Sequence, residues 1–157
     1  MGSIKLTQDY GFVLNVLNDP EMLERIAEGN QDFEFTLDLV RKMGTDGHLL
    51  GWYHDEQIKG FYWIHPYTAS ILQIHAHFPV ENRSHSKGSG VAMLEWLRAN
   101  SNEQYQKFMA MIPECYPDVI GFSVREGLAH EGVLTKAFSK GGNMIDLAIL
   151  GASREAS

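Results

Sequence analysis

Cysteine is nearly absent: Cys115 stands alone among 157 residues. No internal disulfide can form, and a chain of this length has enough core to fold without one. Long apolar runs are missing too. No stretch approaches the ~20 residues that span a bilayer, and residues 1–6 carry no signal-peptide hydrophobic segment. A cytoplasmic protein is expected. Positive charge is in deficit, 13 Lys and Arg against 20 Asp and Glu, for a net −7. That balance argues against broad binding to nucleic acid or to anionic membranes. It suits a cationic partner such as an amine, although solubility alone accounts for it equally well. No internal repeat or low-complexity segment interrupts the chain, and its length fits one domain.

What is present begins with alternating signals. Residues 4–6 are a short strand candidate. Thr7 or Asp9 caps a helix that carries Phe12, Val13, Val16 and Leu17 on one face. Asn18-Asp19-Pro20-Glu21 opens a second helix, with a capping Asp, Pro in the first turn and acid near the positive end of the dipole. The spacing predicts a third over 33–43, with Phe33, Leu37 and Val40 on one face and Gly44 ending it. The period then changes. Residues 48–53 and 58–64, rich in aromatic and β-branched side chains, turn at 54–57 in the pattern of a hairpin. A third strand is predicted over 70–80.

A glycine-bearing loop at 81–90 leads to a helix at 91–100 that carries Val91, Leu94 and Leu97. A strand at 107–112, a helix at 117–126 closed by Gly127, and a hairpin of 130–138 with 144–150 follow. Residues 1–151 are expected to form the single domain, and 152–157 a loose tail. Neighbouring hairpins pair antiparallel, and the strand–helix–strand crossover after the third long strand makes one local parallel pair. The expected fold class is α/β in the α+β sense: a mixed, mostly antiparallel sheet of six or seven strands with helices on both faces.

The stretch from Phe78 to Val91 carries the chemistry. It runs strand, loop, two spaced glycines, helix. The first turn of a helix offers unpaired N–H groups at a positive dipole end. Glycine lets the backbone approach an anion closely and take positive φ. Gly88, Ser89 and Gly90, with Lys87 beside them, read as a seat for a pyrophosphate. The alternative is a plain turn before a helix.

This segment resembles the acetyl-CoA loop of the GNAT superfamily of N-acetyltransferases, (Q/R)-x-x-G-x-(G/A) after a strand ending in a V-x-P-like step. His85-Ser86-Lys87-Gly88-Ser89-Gly90 takes the six loop positions. Phe78 and Val80 take the strand-end positions whose backbone, in the family, pairs with the pantetheine arm. The later order of helix, strand, helix ending in Gly127-Leu128, and hairpin matches as well. The resemblance implies the GNAT fold, with the strands at 70–80 and 107–112 splayed where a thioester enters. It implies acetyl-CoA as co-substrate, held by Phe78, Val80, His85, Ser86, Lys87, Gly88, Ser89, Gly90 and Val91, and transfer of the acetyl group to a primary amine by direct attack. The chain departs from the family pattern in four places. His85 replaces Gln or Arg, Ser86 stands where Gly is common, Ser123 takes the position of an acid tyrosine, and Tyr116 that of an Asn.

Direct attack on a thioester needs a base for the protonated amine and an acid for the departing thiolate. The resemblance makes the Val80 N–H an oxyanion donor. His75 and His77, two apart on one side of a strand, are candidate bases or else hydrogen-bonded structural residues, and Glu114 is a further candidate base or else a solvated loop carboxylate. Tyr116 and Ser123 are the candidates for the acid, and a phenol with pKa ~10 is the better of the two. His75, His77, His85 and His130 offer four imidazoles, but no cysteine or carboxylate falls at a metal-binding spacing with them, and no metal is expected. His48, His54 and His65 read as surface residues near turns. Trp52, Tyr53, Phe61, Tyr62 and Trp63 read mainly as sheet packing.

The expected partners are acetyl-CoA and an amine-bearing small molecule or protein, without nucleic acid or membrane, and a homodimer is left open. Two other readings stand beside this one. The altered helix with Tyr116 and Ser123 resembles small, divergent GNAT-like proteins of bacteriophages, which implies a protein without catalysis in an assembly or virion role. The other is an α/β domain whose glycine-rich turn serves an unrelated ligand.

Overall fold

The computed structural model describes residues 2–26 and 34–155. Twelve elements follow one another: β1 (Gly2–Leu6), α1 (Tyr10–Leu17), α2 (Pro20–Ile26), α3 (Leu37–Asp46), β2 (His48–His54), β3 (Gln57–Pro66), β4 (Ile71–His77), α4 (Ser89–Asn100), β5 (Lys107–Pro113), α5 (Pro117–Arg125), β6 (Ala129–Lys140) and β7 (Asn143–Ser153). The strands form one seven-stranded sheet in the order β1-β2-β3-β4-β5-β7-β6. Every neighbouring pair is antiparallel except β4 with β5.

The two-residue period of the strands sends apolar side chains to both faces. Leu50, Trp52, Tyr62, Ile64, Leu72 and Ile74 meet Met93, Leu94 and Leu97 of α4 on one side. Leu49 and Phe61 meet Val13, Val16 and Leu17 of α1 and Val40 and Met43 of α3 on the other. Helices therefore cover both faces, as the sequence predicts.

Several boundaries differ from the sequence pattern, each for a local reason. The Asp9 carboxylate, not Thr7, caps α1 by accepting the Phe12 N–H. Thr36 caps α3 through Leu39 N–H, so that helix starts after the predicted position, and Phe33 lies outside the described residues. The helix runs through Gly44 and stops at Gly47. A Cβ there would sit 2.1 Å from the Ile64 carbonyl oxygen, so the main chain of β3 admits only glycine. The third long strand ends at His77. Pro79 has no N–H to donate, and 80–85 winds as a 3-10 helix. Helix α4 starts two residues early because Gly88, at φ 88°, takes its N-cap.

The last hairpin turns on Gly141 and Gly142, both at positive φ. Its second strand takes Ala152 and Ser153 out of the expected loose tail. Behind it, the Arg154 guanidinium donates to the carbonyls of Tyr105, Arg98, Ser101 and Asn102. The ordered chain thus extends past the predicted boundary at 151, while 156–157 lie outside the described residues.

The parallel pair positions the site. β4 and β5 pair only at Ile71↔Lys107, Leu72↔Phe108 and Gln73↔Met109. Beyond Gln73, β4 stays with β3 as far as His77, and β5 stays with β7 as far as Pro113. The two central strands separate, and a wedge opens in the middle of the sheet.

Candidate functional site

Backbone direction decides what the wedge offers. The Ser70 carbonyl accepts the Lys107 N–H, while the Ile71 carbonyl turns the other way and accepts from Tyr67. By the two-residue period, Ile74 and Ala76 also aim their N–H and C=O groups at β5, past the last paired residue. Strand edges inside a sheet call for a hydrogen-bonding partner. The cavity between the strands has a volume of about 310 Å³. Its walls are Ile74, His75, Ala76, His77 and Phe78 from β4 and the residue after it, Ala110, Met111 and Ile112 from β5, Met93 and Leu94 from α4, and Val119, Phe122 and Ser123 from α5. Helix α2 closes one end with Met22, Arg25 and Ile26.

The loop before α4 is fixed from below. The Trp52 indole donates to the His85 carbonyl at 2.6 Å, and the buried Ser89 hydroxyl meets the Tyr62 hydroxyl at 2.8 Å. Burial raises the Tyr62 phenol pKa, the Ser89 bond partly offsets this, and the nearby Glu126 carboxylate adds to the rise. Tyr62 is therefore a neutral anchor. Within the loop, Ser86 N–H donates to Arg83 and Ser89 N–H to Ser86. Among the described residues, the N–H groups of Lys87, Gly88 and Val91 meet no protein acceptor.

Gly90 is different. Its N–H donates at 2.9 Å to the carboxylate of Glu126, which is itself buried. A Cβ on Gly90 would lie 2.5 Å from that of Glu126, so this glycine also permits close contact between α4 and the end of α5. Local sequence does not reveal this carboxylate, because Glu126 reads as a polar residue before a helix-closing glycine.

The predicted site residues divide. Phe78, His75, His77, Ser86, Gly90, Tyr116 and Ser123 line the wedge. His85, Lys87, Gly88, Ser89 and Val91 form the turn and first residues of α4 behind it. Val80 starts the 3-10 helix, is exposed, and faces a separate hollow beside α1. The strand that was to carry its N–H into the cleft ends earlier, at His77. Glu114 is exposed and lies outside the wedge lining, with its N–H on the Asp146 carbonyl. The Ser123 hydroxyl donates to the Val119 carbonyl of its own helix at 2.9 Å. Tyr116 stands at the mouth, with the Arg25 guanidinium 4.9 Å and the Lys140 ammonium 5.8 Å from its ring.

His75 and His77 project to the same side, with rings parallel within 2° and centroids 6.4 Å apart. Burial lowers His77 to about 4, and its Nδ1 is buried without a partner. Burial, then the neighbouring His77 and His65, lowers His75 to about 3. Both are neutral near pH 7. His65, expected at the surface, is instead half-buried against His75. His130 is exposed on β6. Among the described residues, no group of three or more His, Cys, Asp or Glu is placed to hold a metal ion. No helix among them is long and apolar enough to cross a membrane.

These depressed values set a pH dependence. As pH falls below 6.5, the ordinary value for histidine, the unfolded chain takes up protons that the folded chain refuses. Stability is therefore whole above about 6.5 and is lost on the way down to about 4 for His77 and about 3 for His75. At roughly 1.4 kcal/mol per unit, His77 alone accounts for about 3 kcal/mol. Urea unfolding at a pH near 7.5 and another near 4.5 measures the drop, and the two free energies should differ less in His77→Gln. An equal drop in free energy between the two pH values in wild type and variant would refute the assignment to His77.

No family model matches the sequence, and no curated protein matches it. Solved structures do. A spermidine N-acetyltransferase from Vibrio cholerae, crystallised with CoA and spermine, superposes with a TM-score of 0.76 at 13% identity, over 98% of this chain and 95% of its own. An N-acetyltransferase from Staphylococcus aureus gives 0.78 at 14% identity, over 99% of each chain. A GNAT superfamily phosphinothricin acetyltransferase from Sinorhizobium meliloti, in complex with AcCoA, gives 0.74 at 13% identity, over 97% of this chain and 88% of its own. The chain has the GNAT fold.

Proposed function

We propose that this chain binds acetyl-CoA in the wedge and transfers its acetyl group to a primary amine. The observation that carries the reading is the parting of β4 and β5 beside the loop that opens α4. The unpaired backbone of Ile74 and Ala76 suits a ligand that can add to a strand edge, as the amides of a pantetheine arm do. The open N–H groups of Lys87, Gly88 and Val91 suit its diphosphate. The structural neighbours crystallised with CoA or AcCoA support the same ligand class. The neighbour crystallised with spermine supports an amine acceptor, and the net charge of −7 agrees with a cationic one. His75 and His77 are the candidate bases, neutral and in the cleft. Tyr116 is the better-placed acid, since the Ser123 hydroxyl is committed to Val119. Val80 and Glu114 drop out of the proposed machinery.

A second reading, a GNAT-fold binding protein without catalysis, draws on two observations. Ser123 replaces the family's acid, and Glu126 already fills the Gly90 N–H.

Thermal unfolding with millimolar acetyl-CoA, followed by thiol release with spermine and with poly-L-lysine, separates the two. A raised midpoint with amine-dependent thiol release is the expected outcome. A raised midpoint without thiol release favours the binding protein, and an unchanged midpoint removes acetyl-CoA from both.

A further inference from the structure

The antiparallel register sets Trp63 opposite His75 and His65 opposite Gln73. His65 and His75 are thus diagonal neighbours on one face, and they meet nitrogen to nitrogen, Nε2 to Nε2, at 2.9 Å. Their rings are nearly parallel, 13° apart. The Trp63 indole lies flat against both, 4.4 Å from His65 and 4.9 Å from His75. This platform holds the pair in line.

The proton pattern follows from an acceptor at one end. Nδ1 of His65 lies 3.1 Å from the Pro66 carbonyl. A carbonyl only accepts, so His65 carries its proton on Nδ1 and its Nε2 is bare. The hydrogen bond between the rings must then come from the Nε2–H of His75. That leaves Nδ1 of His75 with a free lone pair, on a ring that lines the wedge. His77 has no such connection: its ring is buried and its Nδ1 has no partner.

We propose that His75 and His65 form a proton relay, in which His75 takes a proton from the acceptor amine and His65 delivers it to solvent. The relay rests on the transferase reading. The ammonium gives one proton to Nδ1 of His75. The Nε2 proton of His75 moves to Nε2 of His65, the Nδ1 proton of His65 passes to water beside the Pro66 carbonyl, and exchange with water returns both rings to their starting tautomers before the next turnover. The amine lone pair forms the C–N bond to the acetyl carbon and the C–S bond breaks. Tyr116 protonates the departing sulfur and is reprotonated at the expense of the second N–H proton, giving amide and free thiol. Burial makes His75 a poor resting place for the charge, so the proton passes outward to the ring nearer solvent. His75 is the catalytic residue, and His65 acts through it.

Nitrogen-15 spectra of the imidazoles test the proton pattern without turnover. The expected tautomers are Nδ1–H for His65 and Nε2–H for His75. In His65→Gln, the His75 signal should lose that fixed pattern. With spermine or poly-L-lysine as acceptor, His65→Gln should lower kcat at least tenfold and leave the KM for acetyl-CoA unchanged, and His75→Gln should lower it further. An Nδ1–H tautomer at His75, or full kcat in His65→Gln beside an active wild type, overturns the relay alone. A wild type that acetyl-CoA does not stabilise overturns the transferase reading and the relay with it.

Discussion

Gly88→Glu is expected to abolish stabilisation by acetyl-CoA while the protein stays folded. Gly88 sits at φ 88° as the N-cap of α4, a conformation that costs a non-glycine residue about 1–3 kcal/mol. A Cβ there meets only the Trp52 ring edge, at 3.9 Å, so the new side chain has room and the fold survives. Its carboxylate would occupy the positive end of α4, where the diphosphate is proposed to sit. For wild type at a hundredfold excess over Kd, binding adds about 2.7 kcal/mol, a rise of several degrees in Tm for a domain this size. In Gly88→Glu the rise should fall below about one degree, equivalent to at least a hundredfold loss of affinity. Gly88→Ala separates strain from charge: it should start from a lower Tm but keep most of the ligand-induced rise. A full rise in Gly88→Glu would move the anion seat away from this loop.

Glu126→Gln should act in the opposite direction and tighten acetyl-CoA binding roughly ten- to a hundredfold. The Glu126 carboxylate is buried and accepts the Gly90 N–H, beside the open amides of Lys87, Gly88 and Val91. Two unit charges 4 Å apart at an effective dielectric of 20 repel by about 4 kcal/mol. Even half of that is more than tenfold in Kd. Glutamine keeps an oxygen for Gly90 and removes the charge. The helix end loses a favourable interaction worth about 0.3–1 kcal/mol, so the free protein should be slightly less stable. Calorimetric titration with acetyl-CoA at two salt concentrations decides the matter, with the larger gain at low salt. Unchanged or weaker binding in Glu126→Gln would mean that the carboxylate lies out of range of the bound anion.

Much of the architecture was legible because its causes are local. Alternation marked the strands, Asp9 and Pro117 marked helix starts, and the strand–helix–strand crossover foretold the parallel pair. What escaped was set across the chain. Gly47, not Gly44, stops α3 because the Ile64 carbonyl passes beside it, a contact that no window of local sequence contains. Val80 fell off the strand because Pro79 has no N–H to continue the ladder, although the resemblance put Val80 at a strand-end position. His65 looked like a turn residue, and only the register of β3 on β4 brings it to His75. Glu126 is tied to Gly90 across 36 positions, and nothing in the intervening sequence couples them. His75 and His77 were legible as a pair from spacing alone, but their different surroundings were not.

The break between β4 and β5 has a mechanical side. Three residue pairs join a four-stranded leaf, β1 to β4, to a three-stranded leaf, β5 to β7. The sheet therefore has its fewest paired residues along its own midline. A molecule that lies in the gap and bonds to both edges completes the missing rungs. It stitches the leaves together, so occupancy stiffens the whole sheet from its centre outward.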